Sequence, residues 1–341
     1  MFNLLKKSKL LIKNHENSED KTLSLNKECT EQIKGLAILA VLIGHYCVLL
    51  NIKSSIIYLG SEGVAIFLIL SGYGLTLSYN KTKNNNFFSK RFSKVFIPYF
   101  LVTLCWIIIN TNFFHITYSL KTIFLSLIGF DIHRSIDGTM WYISFIMLWY
   151  FIFYFIFKFN IRNIFKLLFL FCFAFCFRKN IYYSVFHINF GDLAWQFSLH
   201  AYFFPIGVLV AFYFDKITKK LTPATLFVIS IIFFLIYLFN VHNSNKSLTY
   251  FITSNFLFSV AIISFLCILS YFKIYSRVLK FLGQHSYEIY LLEGNLLAIT
   301  HYFQNKLFAL PCYLLVLFFF SILLSKIIKL NLSILKKSLP A

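Results

Sequence analysis

Residues 34–51 read KGLAILAVLIGHYCVLLN, an apolar stretch that begins with a lysine and carries a histidine near its far end. A helix that crosses a bilayer needs roughly 20 mostly apolar residues, so this stretch predicts a transmembrane helix. The rest of the chain has the same character: of its 341 residues, 59% are hydrophobic and 13% are charged, and the mean hydropathy is +0.74. So few charges cannot cover the surface of a soluble protein of this size, and a soluble fold is excluded.

Nine further apolar segments predict helices that cross the membrane. With the first, the ten segments are 34–51, 57–79, 95–111, 140–158, 164–178, 196–214, 223–241, 250–272, 286–302 and 308–328. We therefore predict an all-α polytopic integral membrane protein with about ten transmembrane helices. Residues 121–130 could add a half-helix. No repeat or low-complexity linker divides the chain, so we expect a polar extension at 1–33, one membrane domain at 34–330 and a basic tail at 331–341.

The net charge of +20 comes from 32 Lys and Arg residues against 12 Asp and Glu residues. With a cytosolic N-terminus, alternate loops place 24 basic residues on the cytosolic side and seven on the other side, which is the asymmetry of the positive-inside rule. This pattern predicts cytosolic N- and C-termini in a plasma (inner) membrane. It also removes nucleic acid as a partner, because no soluble domain collects the charge. The abundance of Lys, Asn, Ile and Phe is typical of AT-rich genomes, so we expect a bacterial source.

The seven cysteines are an odd number, and none of them forms a Cys-x-x-Cys pair. Most lie in or beside apolar runs, where cysteine is a small packing residue. The histidines of the outer loops have no metal-ligand spacing with acidic partners. We therefore predict no disulfide and no metal site.

His45 is the sharpest candidate for a chemical role, because ionisable side chains inside a membrane span are costly. It follows Lys34 by eleven positions. At about 100° per residue the two side chains lie within about 20° of each other on one helix face, with His45 roughly 16 Å deeper. A cation at the membrane mouth therefore lies below a titratable imidazole, which suits a general base. The alternative is a histidine that only bonds to a neighbouring helix.

The second predicted span carries Ser71-Gly72-Tyr73 near its middle. A Ser-Gly pair allows a bend or a close approach of two backbones, and it can free a carbonyl group. Helix packing alone explains the pair equally well. Glu62 precedes the pair at the outer mouth of the same span, where we interpret it as an interfacial charge.

A pair of basic residues precedes the third span. Arg91, Lys94 and Pro98 share one helical face at its cytosolic end. Two fixed cations at a membrane mouth suit the binding of phosphate groups. The alternative is a role in membrane orientation and in contact with anionic lipids.

Together these segments resemble the acyltransferase-3 family of integral-membrane O-acyltransferases. The family's first helix has an Arg or Lys, usually a following Gly, and a His eleven positions on, as in Lys34, Gly35 and His45. Five further motifs match in family order, at Gly63-Val64…Phe67…Ser71-Gly72-Tyr73, Arg91-x-x-Lys94 with Pro98-Tyr99, Trp141-Tyr142, Phe204-x-x-Gly207 and Gly283-x-x-Ser286-Tyr287-x-x-Tyr290-Leu291. The resemblance covers about residues 30–325.

The chain departs from the family pattern at three places. Lys34 replaces the commoner Arg, which keeps the charge but loses the planar fork of donors. The segment after Trp141 lacks the Glu of many relatives, and Glu293 stands where many members have a second His.

The resemblance implies transfer of an acyl group, most often acetyl from acetyl-CoA, to a hydroxyl of a cell-surface carbohydrate, either a polysaccharide or a lipid-linked glycan. His45 is then the general base. The role of Glu293 is not carried over from the family, but the ninth span also runs from inside to outside and Glu293 lies about 11 Å beyond Ser286, so it can approach the depth of His45. There it either orients and charge-balances the imidazole or is only bonded between helices. We expect the phosphates of CoA to be held by Lys34, Arg91 and Lys94. The residues with a substrate-binding or structural part in the family motifs are Ser71, Gly72, Tyr73, Trp141, Tyr287 and Tyr290.

A transporter is the rival interpretation. A flippase or carrier of glycans or lipid-linked sugars would share the span count, the aromatic richness and the basic cytosolic face. It would not require the His45, Ser71-Gly72 and Arg91-x-x-Lys94 motifs in that order. The sequence also has no obvious inverted repeat with matching broken helices.

Overall fold

The computed structural model describes residues 25–82, 91–131, 133–180, 193–242, 247–300, 303 and 305–338. Every regular element in this part of the chain is a helix. The α-helices are α1 (Lys27–Leu49), α2 (Leu59–Thr82), α3 (Ile97–Asn112), α4 (Leu120–Leu127), α5 (Trp141–Lys158), α6 (Asn163–Arg178), α7 (Leu193–His200), α8 (Phe203–Thr218), α9 (Pro223–His242), α10 (Leu248–Tyr271), α11 (Arg277–Gln284), α12 (Ser286–Ile299) and α13 (Lys306–Ser338). A 3₁₀ turn (Ser55–Tyr58) leads into α2, and a π-helical turn (Phe92–Phe96) leads into α3.

Nine of the ten predicted spans each coincide with one helix, and the sixth, 196–214, is divided between α7 and α8. The helices confirm the all-α polytopic class. Over the described residues, eight helical segments are long and apolar enough to cross a membrane. The fifth and ninth predicted spans are the shorter helices α6 and α12, of 16 and 14 residues. The predicted half-helix is α4, with 8 residues.

Helix α1 begins at Lys27, before the predicted boundary at residue 34. The side chain of Asn26 caps its N-terminus. Its first turn is held by α11, since Oε1 of Glu28 lies 2.6 Å from Nζ of Lys280. The helix therefore begins before the apolar run, because an apolar-run pattern does not detect a polar helical turn that is paired with a neighbouring helix.

The predicted terminal segments change accordingly. Residues 27–33 of the predicted extension belong to α1, and its residues 1–24 lie outside the described part of the chain. Residues 331–338 of the predicted tail continue α13, and residues 339–341 lie outside the described part. The helices therefore extend beyond the predicted membrane domain at both ends.

Helix α2 packs closely against α1 and α8. A β-carbon added at Gly72 would lie 2.3 Å from the carbonyl oxygen of Phe204, and one added at Gly207 would lie 2.0 Å from that of Ile69. Only glycine permits two backbones to approach so closely, which is a common device for packing helices in membranes. The crossing of α2 and α8 is therefore set by these two glycines.

Buried aromatic rings join α5 to α7 and α8. Trp149 stacks on Phe204 with ring centroids 5.1 Å apart, and Phe145 stacks on Phe197 at 4.6 Å. Helix α9 instead exposes much of its apolar surface, as expected for a helix that faces lipid. The candidate site lies where α1, α2, α5, α7 and α12 meet.

Candidate active site

His45 and Glu293 meet at the centre of the candidate site. His45 lies in the last turns of α1 and Glu293 in the middle of α12, and Nδ1 of His45 is 2.7 Å from Oε1 of Glu293. Glu293 is fully buried, whereas 35% of the His45 side chain is accessible. Because a carboxylate oxygen accepts hydrogen bonds, Nδ1–H of His45 is the donor. Nε2 is then the ring nitrogen that can take a proton.

The second oxygen of Glu293, Oε2, is buried and has no hydrogen-bond partner among the described residues. A buried carboxyl oxygen without a partner is energetically costly. Among the described residues, the Glu293 carboxyl therefore forms its hydrogen bond through Oε1 alone, and its partner is the His45 imidazole.

Asp137, in the loop before α5, is a second buried carboxyl beside this pair. Its Oδ1 accepts hydrogen bonds from the backbone N–H and the hydroxyl of Thr139, at 2.7 and 2.6 Å, and its Oδ2 accepts one from Nδ2 of Asn295 at 2.9 Å. Burial raises the pKa of Asp137 to about 6, although the hydrogen bonds from Thr139 oppose the shift. A β-carbon added at Gly294 would lie 2.7 Å from Oδ1 of Asp137. Asp137 therefore packs directly against the residue that follows Glu293.

The exposed face of His45 lines a cavity of about 250 Å³, the histidine cavity. Its polar walls include Ser61, Gln196 and His200. Its aromatic walls are Tyr58, Trp141, Trp195, Phe251 and Tyr290. The cavity therefore presents ring faces and hydrogen-bonding groups around one titratable imidazole.

A smaller cavity of about 150 Å³, the lysine cavity, lies around Lys34. Several residues of the sequence motifs line it, together with two tyrosines of α5: Ser71, Tyr142, Tyr150, Tyr287 and Tyr290. The hydroxyl of Ser71 lies 3.5 Å from that of Tyr142, and the hydroxyl of Tyr287 donates to the carbonyl of Val95 at 2.6 Å. Lys34 is thus a basic group in the wall of a cavity whose other walls are largely aromatic.

Two residues, Val64 and Tyr290, line both cavities. The Tyr290 hydroxyl donates to the carbonyl oxygen of Thr139, and this contact holds the ring between the cavities. Lys34 and His45 lie toward opposite ends of α1, roughly 16 Å apart along the helix. The two cavities therefore share a wall. Lys34, near one end of α1, lines the lysine cavity, and His45, toward the other end, lines the histidine cavity.

The other predicted cations, Arg91 and Lys94, lie at the Lys34 end. The guanidinium of Arg91 lies 5.6 Å from the ring centre of Tyr150, a wall of the lysine cavity. Lys94 is exposed and close enough to Lys34 for their charges to repel. The structure thus places Lys34 in the wall of this cavity and Arg91 against one of its wall residues, whereas Lys94 is exposed at the surface.

The predicted Ser71-Gly72-Tyr73 motif divides between two roles. Ser71 lines the lysine cavity, whereas Gly72 packs against α8. Tyr73 is buried edge-to-face on Phe214, with ring centroids 5.8 Å apart, and is not among the described residues that line either cavity. Gly72 and Tyr73 therefore contact α8, and of the three residues only Ser71 lines a cavity.

His200, Ser61 and Asn255 form a polar cluster that the sequence reasoning missed. His200 is fully buried at the end of α7; its Nδ1 lies 3.0 Å from the carbonyl oxygen of Gln196, and its Nε2 lies 3.2 Å from both the hydroxyl and the carbonyl oxygen of Ser61. Nδ2 of Asn255 donates to the Ser61 hydroxyl at 2.9 Å. The signal for His200 was present, because it lies inside a predicted span as His45 does.

Glu62 is not the interfacial charge that the sequence suggested. Only 1% of it is exposed, and its Oε2 accepts a hydrogen bond from the Tyr237 hydroxyl at 3.0 Å. The expectation failed because α9 covers this end of α2. Asp137 was missed as well, although an acidic residue so close to the Trp141 motif is an available signal.

The comparisons with known proteins agree with the motifs. A family model described as an acyltransferase domain, Acyl_transf_3, matches residues 29–330. This range includes the His45–Glu293 pair and the walls of both cavities. Searches of the curated proteins and of the solved structures find no match.

Proposed function

Because the chain belongs to the acyltransferase-3 family and is a membrane acyltransferase, we propose that it moves an acetyl group from acetyl-CoA to a hydroxyl of a carbohydrate. The acceptor in this proposal is a surface polysaccharide or a lipid-linked glycan. The protein lies in the plasma (inner) membrane of a bacterium with both termini in the cytosol. Family membership favours this reaction over the transporter alternative.

The observation that carries the proposal is the hydrogen bond between His45 and Glu293 at the wall of the histidine cavity. Donation from Nδ1 to the carboxylate selects the tautomer whose Nε2 accepts a proton, and it stabilises the imidazolium that forms during the reaction. Glu293 acts through His45 and is a positioning residue. A base of this kind contributes about 10²–10⁴-fold to a rate.

The reaction needs one proton to move twice. Nε2 of His45 takes the proton of the acceptor hydroxyl while its oxygen attacks the thioester carbonyl carbon. The tetrahedral intermediate then collapses, the C–S bond breaks, and the thiolate of CoA receives the proton from the His45 imidazolium. The products are the acylated carbohydrate and free CoA, and the enzyme is unchanged.

The lysine cavity suits the donor. At about 150 Å³ it is smaller than a typical pocket for a whole cofactor, so it accepts only the narrow thioester end of CoA. The phosphates would remain outside it, against Lys34, Arg91 and the exposed Lys94. An Arg held over a ring presents its fork of donors to phosphate in a fixed direction.

The histidine cavity suits the acceptor. Trp141 and Trp195 offer ring faces, and Gln196 offers an amide, which together fit a polar ring with several hydroxyls. The two substrates would therefore approach His45 from opposite ends of the bundle. This arrangement suits an acyl donor and an acceptor that are present on opposite sides of a membrane.

The proposal is tested with purified protein in lipid nanodiscs, labelled acetyl-CoA and surface glycans from a host strain that lacks the protein. The variant His45→Ala should lose at least about 10²-fold in transfer rate. His133→Ala, at an exposed histidine, is the matched control and should keep the wild-type rate. Full transfer by His45→Ala would remove the assigned base. Movement of unmodified glycan across the membrane without acetylation would instead support a transporter.

A further inference from the structure

The Ser61–His200 pair faces the histidine cavity, and the mechanism above does not use it. Ser61 is half-buried in the first turn of α2, while His200 is fully buried at the end of α7. Both residues line the cavity that contains the accessible face of His45. A hydroxyl within hydrogen-bond distance of an imidazole is the arrangement of an activated nucleophile.

His200 is a base toward Ser61 in one of its two neutral tautomers. Carbonyl oxygens face both ring nitrogens, that of Gln196 at 3.0 Å from Nδ1 and that of Ser61 at 3.2 Å from Nε2, so the hydrogen bonds permit either tautomer. In the tautomer that makes His200 a base toward Ser61, Nδ1–H donates to Gln196 and Nε2 carries the lone pair. The Ser61 hydroxyl, 3.2 Å away, then donates to Nε2. Nδ2 of Asn255 donates to the same hydroxyl oxygen at 2.9 Å, where it would stabilise negative charge as the proton leaves.

Ser61 lines the same cavity as the proposed base of the transfer reaction. A β-carbon added at Gly60, the preceding residue, would lie 3.6 Å from Nε2 of His45. An acyl group on the Ser61 oxygen would therefore be in the cavity into which Nε2 of His45 points. The site thus holds a serine nucleophile with one base and a second base for an incoming hydroxyl.

We propose that Ser61 carries the acyl group as a transient ester, so that transfer proceeds in two steps that replace the direct attack of the acceptor on the thioester; this inference rests on the donor and acceptor of the proposed function. In the first step the Ser61 hydroxyl oxygen attacks the thioester carbonyl carbon and His200 Nε2 takes its proton. The C–S bond then breaks, and the CoA thiolate receives that proton from His200. The products of this step are acyl-Ser61 and free CoA.

The second step regenerates the serine. The acceptor hydroxyl attacks the ester carbonyl carbon while Nε2 of His45 takes its proton. The bond from the carbonyl carbon to the Ser61 oxygen breaks, and the alkoxide is protonated by His45. With this order CoA leaves through the lysine cavity before the carbohydrate reacts, so the two bulky substrates need not meet in one site.

The test is covalent labelling in the absence of acceptor. Full-length protein in nanodiscs is mixed with radiolabelled acetyl-CoA, denatured, digested and analysed by mass spectrometry. We expect a hydroxylamine-sensitive acetyl group on Ser61 and a burst of about one equivalent of free CoA per protein. His45→Ala should accumulate the label, because the second step is blocked.

Two variants make the labelling specific. Ser61→Ala should abolish the burst and lower transfer by about 10²-fold or more. Ser54→Ala, at an exposed serine whose side chain forms no cap hydrogen bond, should keep both the burst and the transfer rate. Chromatographic profile and thermal stability of each variant establish that it is folded.

The outcomes separate this inference from the proposed function. No label on Ser61 in either the wild type or His45→Ala, while the wild type still acetylates glycan, overturns the acyl-serine and leaves the proposed function standing. A label on another residue overturns it as well. Label on Ser61 with no acetylation of any glycan supports the acyl-serine and contradicts the proposed acceptor.

Discussion

Nδ1 of His45 lies 2.7 Å from Oε1 of Glu293, although 248 positions separate the two residues in the chain. The contact joins the first long helix to one of the last. It places a fully buried carboxyl behind an imidazole that is open to a cavity. The base and the group that orients it therefore come from opposite ends of the sequence.

Replacing Glu293 with Gln should lower kcat for acetyl transfer about 10–100-fold and leave KM for acetyl-CoA nearly unchanged. The amide oxygen still accepts the Nδ1 hydrogen bond, so the tautomer is kept. The negative charge that stabilises the imidazolium is lost. Steady-state kinetics in nanodiscs measure the effect, and a wild-type kcat would mean that Glu293 only bonds the two helices.

Replacing Lys34 with Ala should raise KM for acetyl-CoA about 10-fold, because a charged hydrogen bond to phosphate contributes about 1.5–3 kcal/mol. Lys27→Ala is the matched control, since the Lys27 side chain is 88% exposed in the first turn of the same helix. Its KM should stay at the wild-type value. Equal KM values for the two variants would remove Lys34 from the donor site.

Replacing Gly72 with Ala should destabilise the protein by about 1–3 kcal/mol, because the new methyl group would meet the carbonyl oxygen of Phe204 at 2.3 Å. Gly74→Ala, where the added β-carbon has no neighbour within 4 Å among the described residues, should be neutral or slightly stabilising. Thermal unfolding in detergent measures the stability of the two variants. A Gly72→Ala protein as stable as Gly74→Ala would contradict the close crossing of α2 and α8.

Asp137 predicts a specific pH dependence of stability. Burial raises its pKa from 3.8 to about 6 in the folded protein, so the folded state binds this proton more tightly than the unfolded state does. The stabilisation from that proton is complete below pH about 4 and is lost as the pH rises through about 6, a total of up to about 3 kcal/mol. The Asp137→Asn variant has no carboxyl group at this position, so its side chain does not titrate in this pH range.

Thermal unfolding between about pH 3 and about pH 7 tests this expectation, since this window brackets the pKa values of 3.8 and about 6. The unfolding temperature of the wild type should fall across the window relative to that of Asp137→Asn. Parallel profiles for the two proteins would contradict a raised pKa at this carboxyl.

Much of the fold was predictable because membrane insertion is a local property. A run of about 20 apolar residues must form a helix in lipid to satisfy its own backbone groups. Nine of the ten predicted spans are therefore each found as one helix, and the sixth is found as the two helices α7 and α8. The exceptions lie at the ends, where the polar first turn of α1 is stabilised by Lys280 of another helix.

The candidate site was predictable from helical periodicity where one helix carries two of its groups. Helical periodicity places Lys34 and His45 on one face of α1, and the structure finds each of them lining a cavity. Ser71 and Gly72 could not be separated in advance, since neighbours on a helix face different partners. One lines the lysine cavity and the other meets α8.

Composition and apolar run length were enough to establish a polytopic helical membrane protein, because both depend on residues that are neighbours in the chain. The motif order was enough to indicate the family. The sequence indicated that Glu293 can approach His45, but it did not decide between a contact with the imidazole and a bond to another helix. That choice, the buried state of Glu62 and Asp137, and the Ser61–His200 contact were decided by the tertiary structure. Each depends on which helices pack side by side, and a hydrogen bond across helices requires a separation of about 3 Å, which no local pattern encodes.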